Sequence, residues 1–226
     1  MVAGRLDQEL ERLYANRFSS AERLVKQRLW KASIDGFFHR YIPPDGTVMD
    51  LGAGYCDFIN QISAAHRIAL DLNPETSRAA APGVEVHHLP LERLGDAVEP
   101  ESVDLAFASN VFEHLRGVDA LMNVLAAVAR ALKPGGRLIV MQPNIRCVGV
   151  AFWDFFDHTL PLTEKGMAEA LRVAGFEVVE CRPRFLPYTT KSLLPKSPRL
   201  VRIYLAFPLL HRLFGKQMLV VGRRPQ

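Results

Sequence analysis

Seven short apolar runs separated by segments of helical periodicity constrain this 226-residue chain more than any other feature. They are Thr47–Leu51, Ile68–Leu72, Val84–Leu89, Val103–Ala108, Leu138–Met141, Phe176–Glu180 and Met218–Val221. The clearest helical pattern places Val118, Leu121, Leu125, Val128 and Leu132 on one face and stops at Lys133-Pro134-Gly135-Gly136. Another opens on Thr163 as N-cap and closes on Gly175. Strands alternating with helices demand right-handed crossovers and a mostly parallel sheet covered on both faces. The predicted fold class is therefore α/β, a single doubly wound, largely parallel seven-stranded sheet. Hydrophobic residues at 49% and charged residues at 23% suffice for the core this requires and exclude a disordered chain.

The flanks add two features. Residues 5–41 read as two helices, with Ser19-Ser20 capping the second, and Pro43-Pro44-Asp45-Gly46 turns the chain into the first strand. Between the last two strands, Phe185–Lys216 is longer than an ordinary connection and reads as a helical insertion of two short helices broken at Pro208. The expected organisation is one domain: an N-terminal helical cap (1–46), a core (47–182), a basic and apolar helical insertion (183–216) and a last strand (217–226). Cys56, Cys147 and Cys181 are too few and scattered for a disulfide framework and suggest a reducing compartment. With no apolar leader pattern and no spanning segment, the expected location is cytoplasmic.

Charge is distributed unevenly. Residues 181–226 contain ten Lys and Arg and no Asp or Glu. That leaves 18 of the 28 basic side chains with all 24 acidic ones in residues 1–180, a net charge of −6. An acidic body with a basic tail points to an anionic partner for the tail: phosphate, nucleic acid or a membrane surface. A solvated basic face is the plain alternative.

The stretch 48–58, VMDLGAGYCDF, reads as a strand entering a glycine-rich turn and then a helix, where backbone approaches a ligand closely. In a parallel sheet that turn lies beyond the carboxyl ends of the strands, where ligands bind. A dinucleotide fingerprint would need glycine at position 57; Asp57 stands there, which argues against NAD or FAD. Asp71 follows Asp50 by 21 residues, close to the spacing that sets a carboxylate against ribose hydroxyls.

Asp50-Leu51-Gly52-Ala53-Gly54, then Asp71 ending the second strand, then Lys133–Gly136 before the fifth, in this order and spacing, resembles the class I S-adenosylmethionine-dependent methyltransferases, type 11/12-like. The resemblance covers roughly residues 47–180 and implies a Rossmann-like methyltransferase fold with S-adenosyl-L-methionine as cofactor. It would place Gly52, Ala53 and Gly54 under the methionine moiety. Asp50 would orient the turn, and Asp71 with its neighbour Leu72 would lie at the ribose. The third glycine of the family's turn is Cys56 here. Many relatives carry an acidic residue for the adenine amino group after the third strand, where this chain has His87-His88-Leu89-Pro90-Leu91. Adenine is then expected on backbone amides and on Leu89 and Leu91. His87 and His88, adjacent in a strand, point to opposite faces and make a poor metal pair.

By the same resemblance, Ser109 and Asn110 after the fourth strand lie beside the sulfonium and the incoming nucleophile. Glu113-His114 follow. Some relatives hold a divalent metal with Glu-x-x-Glu-His, but the first position here is Asn110, a neutral and poorer ligand, so no metal is expected. A hydroxyl acceptor needs a base for its proton. His158, preceded by Asp157 in the aromatic-rich loop 152–163, is the first candidate, with Asp157 to orient it; His114 is the second.

These readings converge on a methyltransferase, with O-methylation of a small-molecule, glycan or lipid-linked anionic acceptor as the expected reaction. The run Leu200–Leu210 mixes cations with apolar bulk, as interfacial helices do, and suggests peripheral membrane contact through residues 191–216. The alternatives are an RNA 2′-O-methyltransferase, which the apolar run disfavours, and a non-catalytic cofactor-binding scaffold.

Overall fold

The computed structural model describes residues 20–187 and 197–226. The first of the two expected N-terminal helices, and the start of the insertion with Lys191 and Lys196, lie outside the described residues. Helix α1 (Ser20–Gly36) is followed by a 3₁₀ turn at Phe38–Tyr41, and Gly46 N–H closes the predicted turn on the Pro43 carbonyl at 3.2 Å. The seven strands are β1 (Thr47–Leu51), β2 (His66–Leu70), β3 (Val84–His87), β4 (Val103–Ser109), β5 (Leu132–Pro143), β6 (Glu177–Arg182) and β7 (Gln217–Arg223). Their order in the sheet is β3-β2-β1-β4-β5-β7-β6. All pairings are parallel except those of β7, which runs antiparallel to both β5 and β6.

Helices α2 (Glu75–Ala79), α3 (Val118–Ala131), α4 (Ile145–Val148), α5 (Glu164–Val173), α6 (Pro198–Ala206) and α7 (Pro208–Phe214) complete the described elements. The alternating residues of a strand divide between two cores, which explains why the strands read as continuous apolar runs. In β5, Leu138 and Val140 pack with Leu121, Val128 and Met167 on one face, while Ile139 and Met141 pack with Phe38, Phe107 and Leu205 on the other. The second core is aromatic at its centre: the Phe58 and Phe107 rings stack at 3.9 Å between centroids, with the edge of Trp30 against both.

Local signals locate most boundaries. Thr163 Oγ1 accepts the Gly166 N–H at 3.1 Å, as an N-cap does, and Gly175 leaves α5 with φ at +88°. The insertion forms two short helices meeting at Phe207-Pro208, as the proline predicts. Three expectations are corrected. The glycine-rich turn leads into further turns and a 3₁₀ segment at Ile59–Gln61, with no α-helix following it. Val118 is exposed, at the first position of α3. Lys133–Gly136 and Leu132 belong to β5: Gly135 N–H and Gly136 carbonyl bond to the Arg224 backbone, which extends the strand through the apparent helix stop.

Candidate active site

The strand order reverses at β1, whose neighbours are β2 on one side and β4 on the other, so a crevice opens beyond their carboxyl ends. The loop after β1 forms one wall. Gly52 has φ +69°, and a Cβ on it would lie 2.4 Å from Val111 Cγ2, so only glycine permits this turn against the segment after β4. The Gly52 and Ala53 N–H groups both donate to the Leu70 carbonyl, at 2.8 and 3.1 Å. Gly54, at φ +51°, donates its N–H to Asp71 Oδ2 at 2.6 Å, while Asn73 N–H donates to Asp71 Oδ1 at 2.7 Å. Each Asp71 oxygen thus accepts one backbone N–H and retains capacity for a further donor, the capacity two ribose hydroxyls require.

Cys56 takes the place of a third glycine and keeps the glycine conformation, with φ +58°. It is buried, with its thiol against the Thr76 carbonyl at 3.7 Å. Burial first, and then the charges of Asp50, Asp71 and Asp57, push its pKa up to about 12, so it stays a thiol and supplies no nucleophile.

Asp50, Asp57 and Asp71 form a carboxylate cluster under the loop. Burial and the proximity of Asp71 and Asp57 hold the Asp50 carboxyl well above the usual carboxylate range. Burial also raises Asp71, against the backbone N–H groups of Asn73 and Gly54 that stabilise its charged form. Lys26 of α1 reaches Asp57 at 3.0 Å, beside an Arg23 guanidinium seated 3.8 Å over the Tyr55 ring. This site suits a ligand bearing positive charge, and S-adenosylmethionine carries both an ammonium and a sulfonium.

The residues expected at adenine lie after β3. Leu91 is buried in the core and opens the 3₁₀ segment Leu91–Asp96. Leu89 is half-buried against the same core, and Leu72 is exposed beside Asp71. His88 links the loop: its Nδ1–H donates to the Asp71 carbonyl at 3.1 Å and its Nε2 accepts from Ser77 Oγ at 2.7 Å. His87 Nε2 lies 2.7 Å from Glu85 Oε1.

The opposite wall follows β4. Asn110 sits at φ +52° with its N–H on the Met141 carbonyl at 2.8 Å and its amide on Ser109 Oγ at 3.1 Å. The turn Phe112–His114 comes next, and the Glu113 carbonyl accepts N–H groups from Thr159 at 2.8 Å and Leu160 at 3.0 Å. Thr159 Oγ1 also donates to the Leu115 carbonyl at 2.7 Å. These bonds bring loop 152–160 against the turn and gather Glu113, His114, Asp157 and His158 from distant parts of the chain.

Within this group the expected pairing changes. Asp157 serves His114: the carboxylate Oδ2 lies 3.3 Å from His114 Nδ1, and the Asp157 carbonyl 3.1 Å from the same nitrogen. A carbonyl only accepts, so Nδ1 carries a proton, and in the neutral ring Nε2 presents a lone pair. His158 is buried among rings, with Phe155 stacked at 4.9 Å, Phe152 at 4.7 Å and the His114 ring edge-on at 5.0 Å. When protonated, His114 favours the charged form of Asp71, which couples the two halves of the site. One oxygen of Glu113 and one nitrogen from each of His114 and His158 lie within 4.8 Å of one another, a donor set that could hold a divalent ion.

Gln142, near the carboxyl end of β5, escaped the sequence reading. It is buried, and neither amide atom makes a hydrogen bond to the described residues. A glutamine in an apolar strand was the only available signal. A cleft of about 500 Å³ lined by Gly135, Arg137, Glu177, Arg223 and Gln226 lies at the amino ends of β5 and β6, the end of the strands opposite to these groups.

Residues 49–140 match the family model of a methyltransferase domain. No curated protein matches the chain in sequence. Among solved structures it is similar to a methyltransferase in complex with the Trm112 methyltransferase activator of Haloferax volcanii, with a TM-score of 0.66, 19% identity, and coverage of 90% of this chain and 93% of that one. A SAM-dependent methyltransferase from Archaeoglobus fulgidus gives 0.65 and 16%, covering 88% and 94%. A SAM-dependent methyltransferase from Thermotoga maritima gives 0.61 and 19%, covering 97% and 96%.

Proposed function

We propose, from the premise that residues 49–140 form a class I S-adenosylmethionine-dependent methyltransferase domain, that this enzyme methylates a hydroxyl oxygen of a small-molecule, glycan or lipid-linked acceptor, with His114 as base. The observation that carries the reading is the Asp157–His114 pair, which places the proton of a neutral ring on Nδ1 and its lone pair on Nε2. Bound S-adenosylmethionine supplies an electrophilic methyl group on a sulfonium. Asp71 and the backbone at Gly52–Gly54 bind and orient it, and the carboxylate cluster favours its positive charge. With that methyl group delivered to an acceptor hydroxyl, His114 Nε2 would take up the hydroxyl proton. Asp157 holds the ring's tautomer and stabilises the imidazolium so formed, as the carboxylate of a catalytic triad does. Phe152, Phe155 and His158 exclude water from the proton's path.

A metal-assisted reaction is the second reading, carried by the Glu113, His114 and His158 donor set. The two are exclusive, since a ligated His114 Nε2 takes no proton. Full activity after chelation supports the base, and loss restored by a divalent ion supports the metal. The expected result for His114→Ala is a fall in kcat of about 10²-fold or more, as for other general bases, with an unchanged dissociation constant for the cofactor. The acid limb of the pH–rate profile disappears with it. Asp157→Asn shifts kcat in the same direction. An unaltered rate and profile in His114→Ala would remove the base from this account.

A further inference from the structure

The outer face of the insertion is built against the usual rule for a surface helix. The inner face of α6 and α7 packs normally, with Tyr204 OH bonded to the Phe185 carbonyl at 2.5 Å, Leu205 in the aromatic core and His211 buried behind them. A helix docked in this way is expected to turn polar residues to water. Here the outside carries Leu200, Ile203, Phe207, Leu209, Leu213 and Phe214, all exposed; Leu209 and Leu213, one turn apart, are 70% and 69% exposed. Apolar groups this closely grouped mark an interaction surface.

Position ties that surface to the active site. The segment leaves β6 at its carboxyl end and returns to β7 opposite the carboxyl end of β5, where Gln217 pairs with Pro143. Asn144 N–H bonds to the Lys216 carbonyl at 3.1 Å at this junction. The turn Gly149–Asp154 rises from the same edge and exposes Trp153 at 57%, followed by Phe156 at 84%.

Charge selects the occupant. Arg182, Arg202, Arg223 and Arg224 are engaged with Glu180, Asp35, Glu177 and Glu101, so these cations of the tail fasten it to the acidic body. Arg199, Arg212 and Lys216 are exposed and form no ion pair with an acidic residue among the described residues. They flank the apolar face, and residues 181–226 contain no acidic side chain to oppose them. Two copies joined through this face by a two-fold axis would set cations against cations. Leu and Phe amid Lys and Arg, in helices too short to span, are the composition of a surface that settles shallowly into an anionic bilayer.

We infer that the outer face of α6 and α7 docks this protein on an anionic lipid surface, with the catalytic edge turned toward acceptors borne there. The docking is independent of catalysis; the lipid-borne acceptor rests on the reading of the reaction above. The test uses the full chain with vesicles of phosphatidylcholine containing phosphatidylglycerol, and with phosphatidylcholine alone. Co-sedimentation with the anionic vesicles, little with the neutral ones and release at raised salt are expected. Leu209→Asp with Leu213→Asp, and separately Arg199→Gln with Arg212→Gln and Lys216→Gln, should each reduce partitioning about ten-fold or more. Cofactor binding measured by calorimetry on the same samples should not change, which shows that the variants fold and reports separately on the methyltransferase reading. Equal indifference to both vesicles overturns the inference. So does binding to an RNA oligomer or an acidic peptide in place of vesicles, or self-association through this face.

Discussion

Asp71 is the residue on which cofactor affinity should depend most. Its two oxygens are already organised by Gly54 and Asn73 N–H groups, so little reorganisation accompanies ligand binding. Asp71→Ala removes charged hydrogen bonds worth about 1.5–3 kcal/mol each, and calorimetry should show affinity for S-adenosylmethionine falling by roughly ten-fold or more. The 21-residue spacing from Asp50 to Asp71 was visible in the sequence as a local pattern, whereas a role for Asp50 came only with the family resemblance. Gln142 was not legible, since an amide gains functional meaning only when its neighbours deny it a partner. Cys56 was legible as a departure from the family's glycine; that it adopts the left-handed conformation all the same follows from the fold around it, at a cost typical of strained positions, about 1–3 kcal/mol.

At the scale of elements, the α6–α7 pair is held by a titratable hinge. His211 Nε2–H donates to the Tyr204 carbonyl at 3.0 Å, and its ring lies 4.9 Å from the Tyr204 ring. Burial, with a smaller contribution from Arg182, pushes the His211 imidazole below its ordinary value of 6.5, against the Tyr204 bond that raises it. The unfolded chain therefore takes up this proton more readily than the folded one. Stability from His211 is fully present above pH 6.5 and is lost as pH falls below it toward the lowered folded value. Urea midpoints should drop for the parent between pH 7.5 and about 5.5, and His211→Phe should flatten that part of the dependence. Equal slopes for both proteins would assign the effect to other groups. The break at Pro208 that creates this hinge was evident from the sequence; the burial of His211 against Tyr204 was not, since it depends on α1 and Phe185 closing the other side.

For the whole molecule, occupation of the crevice should act as a clamp, because its walls come from β1, β2 and β4 together. Ligand at 100 times its dissociation constant adds about 2.7 kcal/mol. For a chain of this length that raises Tm by roughly 5–10 °C in a thermal melt. Asp71→Ala should need at least about ten-fold more ligand for the same shift, and no shift in the parent would contradict cofactor binding. The succession of seven strands, the glycine turn, the caps at Thr163 and Gly175 and the broken insertion were determined by the sequence by itself. Each is written in periodicity or backbone preference over a few residues. Tertiary structure decided which histidine receives Asp157, because Glu113 and Leu115 carbonyls tie down Thr159 and Leu160 from more than forty positions away. It also decided which cations of the tail face outward: Arg202 and Arg224 find Asp35 and Glu101 across the fold, and no count of charges along a chain contains that distance. Chemistry that depends on one residue's conformation was visible beforehand, whereas chemistry that depends on two distant side chains meeting waited for the sheet to bring them together.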